Sequence, residues 1–293
     1  MNYQEFVLSV KEHISSRLGC TVKVHLHTTI KNNGKERIGL TIANEQVNIF
    51  PTIYLEEFYE QYQNGFSVDS IAENIAKLYD EIKFDHDWDI DSVTDFSSVK
   101  SKLICKLINA EKNQALLKSH PHVLFLDFAV IFYILHEAAF PGMATIPVTN
   151  ELMNFWGVTL DELHQQAMLH SPKLLPATFK PMRTVIEELL GQPCELKSSD
   201  SDIMFVLSNC SRAFGASCIL YNGILEQIAC QLGENYYVLP SSIHEMIIIP
   251  ESKSPGKETL LEMVTEINET QVAEEEVLVN SVYYYDFRKR ELV

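Results

Sequence analysis

The sequence predicts an α+β (mixed α/β) protein: a central mixed sheet flanked by helices, with a smaller N-terminal portion made of a helix and a strand meander. Three observations lead there. Apolar residues recur at three- and four-residue spacing in some windows and at two-residue spacing in others. The hydrophobic fraction of 46% and charged fraction of 22% are those of an ordinary globular chain. Eleven Gly and eleven Pro in 293 residues are too few for a loop-rich β-sandwich.

From the N-terminus, Tyr3 to Leu18 places Phe6, Val7, Val10, Ile14 and Leu18 on one helical face, and Gly19 stops it. Thr21 to Leu26 alternates with β-branched residues, Asn33-Gly34 makes a turn, and Arg37 to Ile42 and Gln46 to Ile49 read as further strands. Pro51 opens a short helix with an aromatic ridge at Tyr54, Phe58, Tyr59 and Tyr62, and Ser67 caps a helix from Val68 to Ile82. His25 and His27 share a strand face, but no third ligand follows at metal spacing, so no metal is assigned. In the acidic window Phe84 to Phe96, Asp85, Asp87, Asp89 and Asp91 alternate. Neither register puts Gly and Glu where a calcium-binding EF-hand loop needs them. The window reads as a solvated linker, and a boundary within 85–95 divides an N-terminal α+β portion, 1–98, from a main α/β portion, 99–293.

Val99 to Leu107 has strand character, and Val123 to Leu135 reads as one or two central strands broken by Asp127. Ala144 to Val148 is another strand. Thr149 or Asn150 caps a helix through Phe155; Gly157 stops it, and Thr159 with Glu162 at capping-box spacing starts the next, to about His170. Leu174 to Phe179 is extended, Met182 to Leu190 is a helix ended by Gly191, and 192–202 is a polar loop. A strand from Ile203 to Leu207, a helix from Ser217 to Leu232 and a strand from Tyr236 to Leu239 have the spacing of a right-handed βαβ crossover. Met246 to Ile249, Glu258 to Ile267 and Ser281 to Phe287 complete the chain as strand, helix and strand.

A net charge of −17 opposes direct binding to nucleic-acid phosphates or anionic lipid; such a surface mainly gives solubility in a crowded cytosol, and less often serves a basic protein partner or mimicry of nucleic acid. No apolar run approaches the roughly 18–20 residues of a membrane span. The N-terminus lacks a signal peptide's basic start and apolar centre, so a cytoplasmic location is expected. The six cysteines (Cys20, Cys105, Cys194, Cys210, Cys218, Cys230) lack CxxC spacing and read as free, mostly buried thiols. No phosphate-binding glycine motif is present, HEAAF at 136–140 lacks the second histidine of a zinc protease, and no cofactor is assigned.

The chemistry-bearing stretch is PSSIHE, 240–245, between two apolar runs. A hydrolase or transferase would use Ser242 as nucleophile and His244 as base, oriented by an acid such as Asp127 or Glu137. On an extended segment Ser242 and His244 share one face and Glu245 takes the other, so the stretch cannot supply its own acid. Ser241, Glu245 and Asn209 are binding candidates. The plainer reading is a strand junction: Pro240 ends one strand, the serines satisfy backbone groups, and His244 enters the next strand buried on the face of Met246 and Ile248. Three functions follow as expectations. The first is a non-enzymatic cytosolic binding or adaptor protein that presents an acidic surface. The second is the Ser242/His244 enzyme. The third is a mobile-element or phage-conflict factor imitating nucleic acid.

Several segments together carry a resemblance: KNNG at 31–34, PTIYLEEFYEQYQNG at 51–65, TNELMNFWGVTLDELHQQA at 149–167, FGASCILY at 214–221, YYVLPSSIHEMIIIP at 236–250 and VYYYDF at 282–287. Over essentially its whole length the chain resembles a family of uncharacterised proteins abundant in gut Clostridia and related Firmicutes, often present in several copies per genome. Its second half is distantly similar to an uncharacterised Bacillus-type family with a comparable PSSIHE-like segment. The resemblance implies a bacterial cytosolic protein and brings no functional residues to carry over.

Overall fold

The computed structural model describes residues 1–19, 22–44, 50–83, 93–139, 142–192 and 203–293. They form two compact units, Met1–Lys31 with Lys35–Asp91, and Asn32–Gly34 with Ser92–Val293.

In the first unit, helix α1 (Tyr3–Leu18) starts in a capping box. Asn2 accepts the Glu5 N–H, and the Glu5 carboxylate accepts the Asn2 N–H. Gly19, at φ 76, ends it. Strand β1 (Val22–Ile30) pairs antiparallel with β2 (Glu36–Asn44), and β2 with β3 (Thr52–Tyr54). Helices α2 (Glu56–Gln63) and α3 (Val68–Ile82) follow. Phe6, Val10, Ile14, Leu40, Ile71 and Ile75 share one core. The helix expected from Pro51 starts only at Glu56. Thr52 to Tyr54 instead pair with Gly39 to Thr41, because β-branched Thr52 and Ile53 fit a third strand better than a first helical turn. His25 and His27 lie on the exposed face of β1, and among the described residues no group of three or more His, Cys, Asp or Glu could hold a metal ion. The expected strand at 46–49 and the aspartates at 85–91 fall outside the described residues.

Among the described residues the second unit contains two sheets. In the smaller, β6 (Phe128–Ala139) pairs along one edge with β4 (Leu103–Asn109). Along its other edge it pairs first with β5 (His122–Phe125) and then with β7 (Gly142–Pro147). Leu126 and Asp127 alone connect β5 to β6, so the apolar run Val123 to Leu135 is a hairpin. The larger sheet has the order β13-β12-β10-β11-β9-β8, built from β8 (Ala177–Pro181), β9 (Phe205–Asn209), β10 (Tyr236–Ser242), β11 (Glu245–Pro250), β12 (Tyr283–Asp286) and β13 (Glu291–Leu292).

The α+β class stands, with one correction: the described pairings are antiparallel throughout, not mixed. The expected crossover strands β9 and β10 run parallel but are not neighbours. The chain leaves β10 through a tight turn, so β11 returns antiparallel and takes the position beside β9.

Helices α4 (Asn150–Trp156), α5 (Leu160–Leu174), α6 (Met182–Leu190), α7 (Ile224–Leu232) and α8 (Lys257–Thr270) pack around these sheets. Thr159 and Glu162 form the expected capping box at the start of α5. The helix expected over 217–232 is two pieces, a 3-10 turn at Gly215–Leu220 and α7. Gly223, at φ 76, breaks it. The buried Tyr221 hydroxyl, which donates to the carbonyls of Leu175 (3.0 Å) and Ser171 (3.3 Å), pins the break in place. Cys105 and Cys218 are buried, whereas Cys210 and Cys230 are exposed; these thiols are free, though not mostly buried.

Phe128, Val130, Phe132 and Ile134 of β6 share the main core with Val238, Met246 and Ile248 of the larger sheet. Each such burial contributes roughly 1.5–3 kcal/mol. The larger sheet's other face holds Leu239 and Ile249 under Leu260 and Val264 of α8. Among the described residues, no helix is long and apolar enough to cross a membrane.

Candidate functional site

Pro240 does not end β10, which runs through it to Ser242 with a shift of register between the two. A bulge accommodates the missing N–H of proline. Beyond it the chain turns at Ile243 and His244, and almost every polar group there is used by the scaffold. The Ser242 hydroxyl accepts the His244 backbone N–H (3.1 Å). Ile243 N–H donates to the Glu276 carbonyl (2.8 Å), and Ala216 N–H to the Ile243 carbonyl (3.3 Å). Ser208 Oγ donates to the His244 carbonyl (2.7 Å). Gly215 lets these chains approach: a Cβ there would overlap Ser208 Oγ and the His244 carbonyl and stand 2.9 Å from Asn209 N.

His244 is therefore in a turn, and its side chain is 32% exposed rather than buried on the Met246 face. The bulge ahead of it breaks the two-residue alternation on which that expectation rested. Phe214 N–H points at its Nδ1 (3.4 Å), which leaves the proton of the neutral ring on Nε2, facing Glu276 Oε1 at 3.3 Å. The Phe214 ring stacks on the imidazole with centroids 6.5 Å apart. The Ser242 hydroxyl thus meets the backbone of His244, and the two ring nitrogens face other groups.

The acids proposed for a triad lie elsewhere or outside description. Asp127 accepts the hydroxyls of Tyr283 (2.7 Å) and Ser281 (3.0 Å). Glu137 sits opposite Ala144 in the β6–β7 pairing, and its side chain is outside the described set. Ser241 is half-buried on β10.

Glu245 and Asn209 do come together, in a cavity of about 210 Å3 on the larger sheet's second face, lined also by Thr178, Lys180, Glu188 and Arg212. Asn209, 1% exposed, spends its amide on the loop that follows it, donating to the Ala213 carbonyl (2.8 Å) and accepting the Ser211 N–H (3.0 Å). Glu245 makes no side-chain hydrogen bond among the described residues, and burial pushes its carboxyl above the usual range. Nearby His244 and Arg212 pull it down, and Glu276 pushes it up. Glu188 bridges Lys180 (2.6 Å) and Arg212 (2.5 Å), and hydrogen bonding from Lys180 first of all holds its carboxyl low. Arg212 (φ 51) and Phe214 (φ 56) both adopt left-handed backbone, at about 1–2 kcal/mol each for an L-residue. Such strain collects at functional sites. Sequence reading missed Lys180, Glu188, Arg212, Phe214 and Glu276: neither strained residue is a glycine, and the charged pairs lie on separate elements.

A larger cleft, of about 960 Å3, lies against the β5–β6 hairpin and the segment Val277 to Ser281, with Asn109, His122, Leu124 and Asp127 in its lining. Leu126, also in the lining, has φ 52 in a two-residue turn position that favours glycine or asparagine. Leu124 and Leu126 are 66% and 43% exposed.

These features define an antiparallel α+β protein with a small charged cavity, a large cleft of mixed polarity and no assembled Ser–His–acid triad among its described residues. The chain belongs to a family of unknown function (DUF5688), whose model matches residues 3–287. Neither the curated proteins nor the solved structures provide a match.

Proposed function

We propose that this is a non-enzymatic binding or adaptor protein of the bacterial cytosol, and that its 960 Å3 cleft receives an extended, apolar and net-basic segment of a partner protein. The observation that carries this reading is Leu126. A bulky apolar residue is held at left-handed backbone on the rim of the cleft, beside the exposed Leu124, where folding alone would favour glycine. Three further features support it. Among the described residues strand β5 pairs with β6 alone, an edge strand that offers a backbone template to an added strand. The cleft volume is at the upper end of the roughly 300–1,000 Å3 range of ligand sites. A net charge of −17 steers a basic partner towards the protein. The two units are proposed as separate domains divided within 85–95.

Peptide display on the immobilised full chain tests the reading. Peptides with alternating apolar residues and net positive charge are expected to be enriched, and Leu124→Asp is expected to weaken them at least about tenfold, as loss of a central apolar anchor does. Failure to enrich any peptide, or binding indifferent to Leu124→Asp, would refute the cleft. Labelling of Ser242 by a fluorophosphonate, abolished in Ser242→Ala, would refute the non-enzymatic reading.

A further inference from the structure

The cavity that contains Glu245 is built differently from the cleft, and it poses its own question. Its floor is the sheet, with Thr178 and Lys180 from β8, Ser208 from β9 and Glu245 from β11. Val185 and Glu188 of α6 form a wall, and Arg212 stands at the rim. At about 210 Å3 it is smaller than the roughly 300 Å3 at which drug-sized sites begin, so its occupant is a compact molecule.

Two acidic and two basic side chains line it. The Glu245 side chain is half-buried and receives no hydrogen bond from any described residue. A carboxylate so placed keeps acceptor capacity open to a ligand's donors. Lys180 and Arg212 share one carboxylate, Glu188, leaving N–H donors of both cations unspent on it, and Arg212 is near enough to Glu245 to pull its carboxyl down. Lys180, Arg212 and Glu188 are each about two-fifths exposed, and ion pairs so placed are weak enough to open to a ligand. The Thr178 hydroxyl adds a donor or acceptor on the floor. Arg212 is held at φ 51, a strained conformation that keeps it in this loop above the cavity.

We propose that this cavity is a binding site for a free α-amino acid, with the ligand's ammonium group on Glu245 and its carboxylate on Arg212 and Lys180. A dipolar head group satisfies both ends at once. A simple amine leaves the cations unused, and a simple acid places a second anion beside Glu245. Arginine suits the carboxylate end because its planar fork matches a carboxylate with two parallel hydrogen bonds. The small volume restricts the occupant to amino acids with short side chains.

The test is titration of the full chain with each proteinogenic L-amino acid by saturation-transfer NMR, followed by calorimetry on any that bind. Ethylamine and propionate serve as controls that each lack one end of L-alanine. Binding of at least one small amino acid is expected, without binding of ethylamine or propionate. Glu245→Gln and Arg212→Asn are each expected to weaken it at least about tenfold, the scale of one charge-assisted hydrogen bond. Gln is isosteric with Glu and Asn tolerates left-handed backbone, so both variants keep the fold, and either alone decides the matter. No amino acid binding, ethylamine binding as well as L-alanine, or binding unchanged in a folded variant would overturn the assignment. Leu124→Asp is expected to leave amino-acid binding unchanged, so failure of the peptide cleft and failure of this site are read separately.

Discussion

Gly215→Ala is expected to destabilise the second unit by about 2–4 kcal/mol, and the figure follows from the atoms around the missing Cβ. Gly215 has no left-handed φ to lose, so the effect is one of packing alone. A methyl group would overlap the Ser208 hydroxyl and the His244 carbonyl and press on Asn209 N at 2.9 Å. Two of these are backbone atoms and cannot rotate away. Overpacking of a filled interior costs about 1–3 kcal/mol, and loss of the Ser208–His244 hydrogen bond adds about 1 kcal/mol. Urea unfolding followed by circular dichroism should show the midpoint falling by about 1 M or more. Hydrogen exchange should quicken first at the amides of Ile243 and Ala216, whose bonds hold the turn. Adding Ser208→Gly removes one overlap and leaves the backbone ones, so the double variant should recover only part of the loss. A Gly215→Ala protein within about 0.5 kcal/mol of the parent, the range of neutral surface changes, would show that the close approach at the β10–β11 turn is not what we describe.

Three further outcomes follow from the same geometry. Glu245 has its carboxyl raised by burial, so the folded state favours the protonated form. Stability from that group is full below the ordinary glutamate range, about pH 4, and is lost as pH rises through the folded value. Glu245→Gln should therefore melt higher than the parent at neutral pH and equal to it in acid; a neutral-pH variant that melts lower contradicts the assignment. Tyr221→Phe removes the hydroxyl donor from the buried Leu175 carbonyl, while the Ser171 carbonyl keeps the Leu175 N–H, and should cost about 1–3 kcal/mol in urea unfolding. Leu126→Gly relieves about 1–2 kcal/mol of left-handed strain against about 0.5–1 kcal/mol of added backbone freedom, so the urea midpoint should hold or rise.

Local signals were legible where the physics was local. The capping box of Thr159 and Glu162, the glycine stops at Gly19, Gly157 and Gly191, and the amphipathic α3 each depend on residues within a turn or two of one another. The candidate site was half legible. Glu245 of PSSIHE and Asn209, both named from the sequence, line one cavity. The expected pleat failed, because a bulge at Pro240–Ser242 shifts alternation by one residue and puts His244 in a turn. Asp127, offered as an orienting acid, went to Tyr283 and Ser281 at the cleft.

By itself, then, the sequence determined many of the helices and strands, the α+β class and the acidic charge. Those depend on spacing, caps and composition, all of which act within short windows of chain. The tertiary structure alone decided that β11 separates β9 from β10, that Phe214 and Glu276 claim the two nitrogens of His244, and that Lys180, Glu188 and Arg212 stand over Glu245. Each of these joins residues far apart in the chain through strand pairing or side-chain contacts that the pairing brings together.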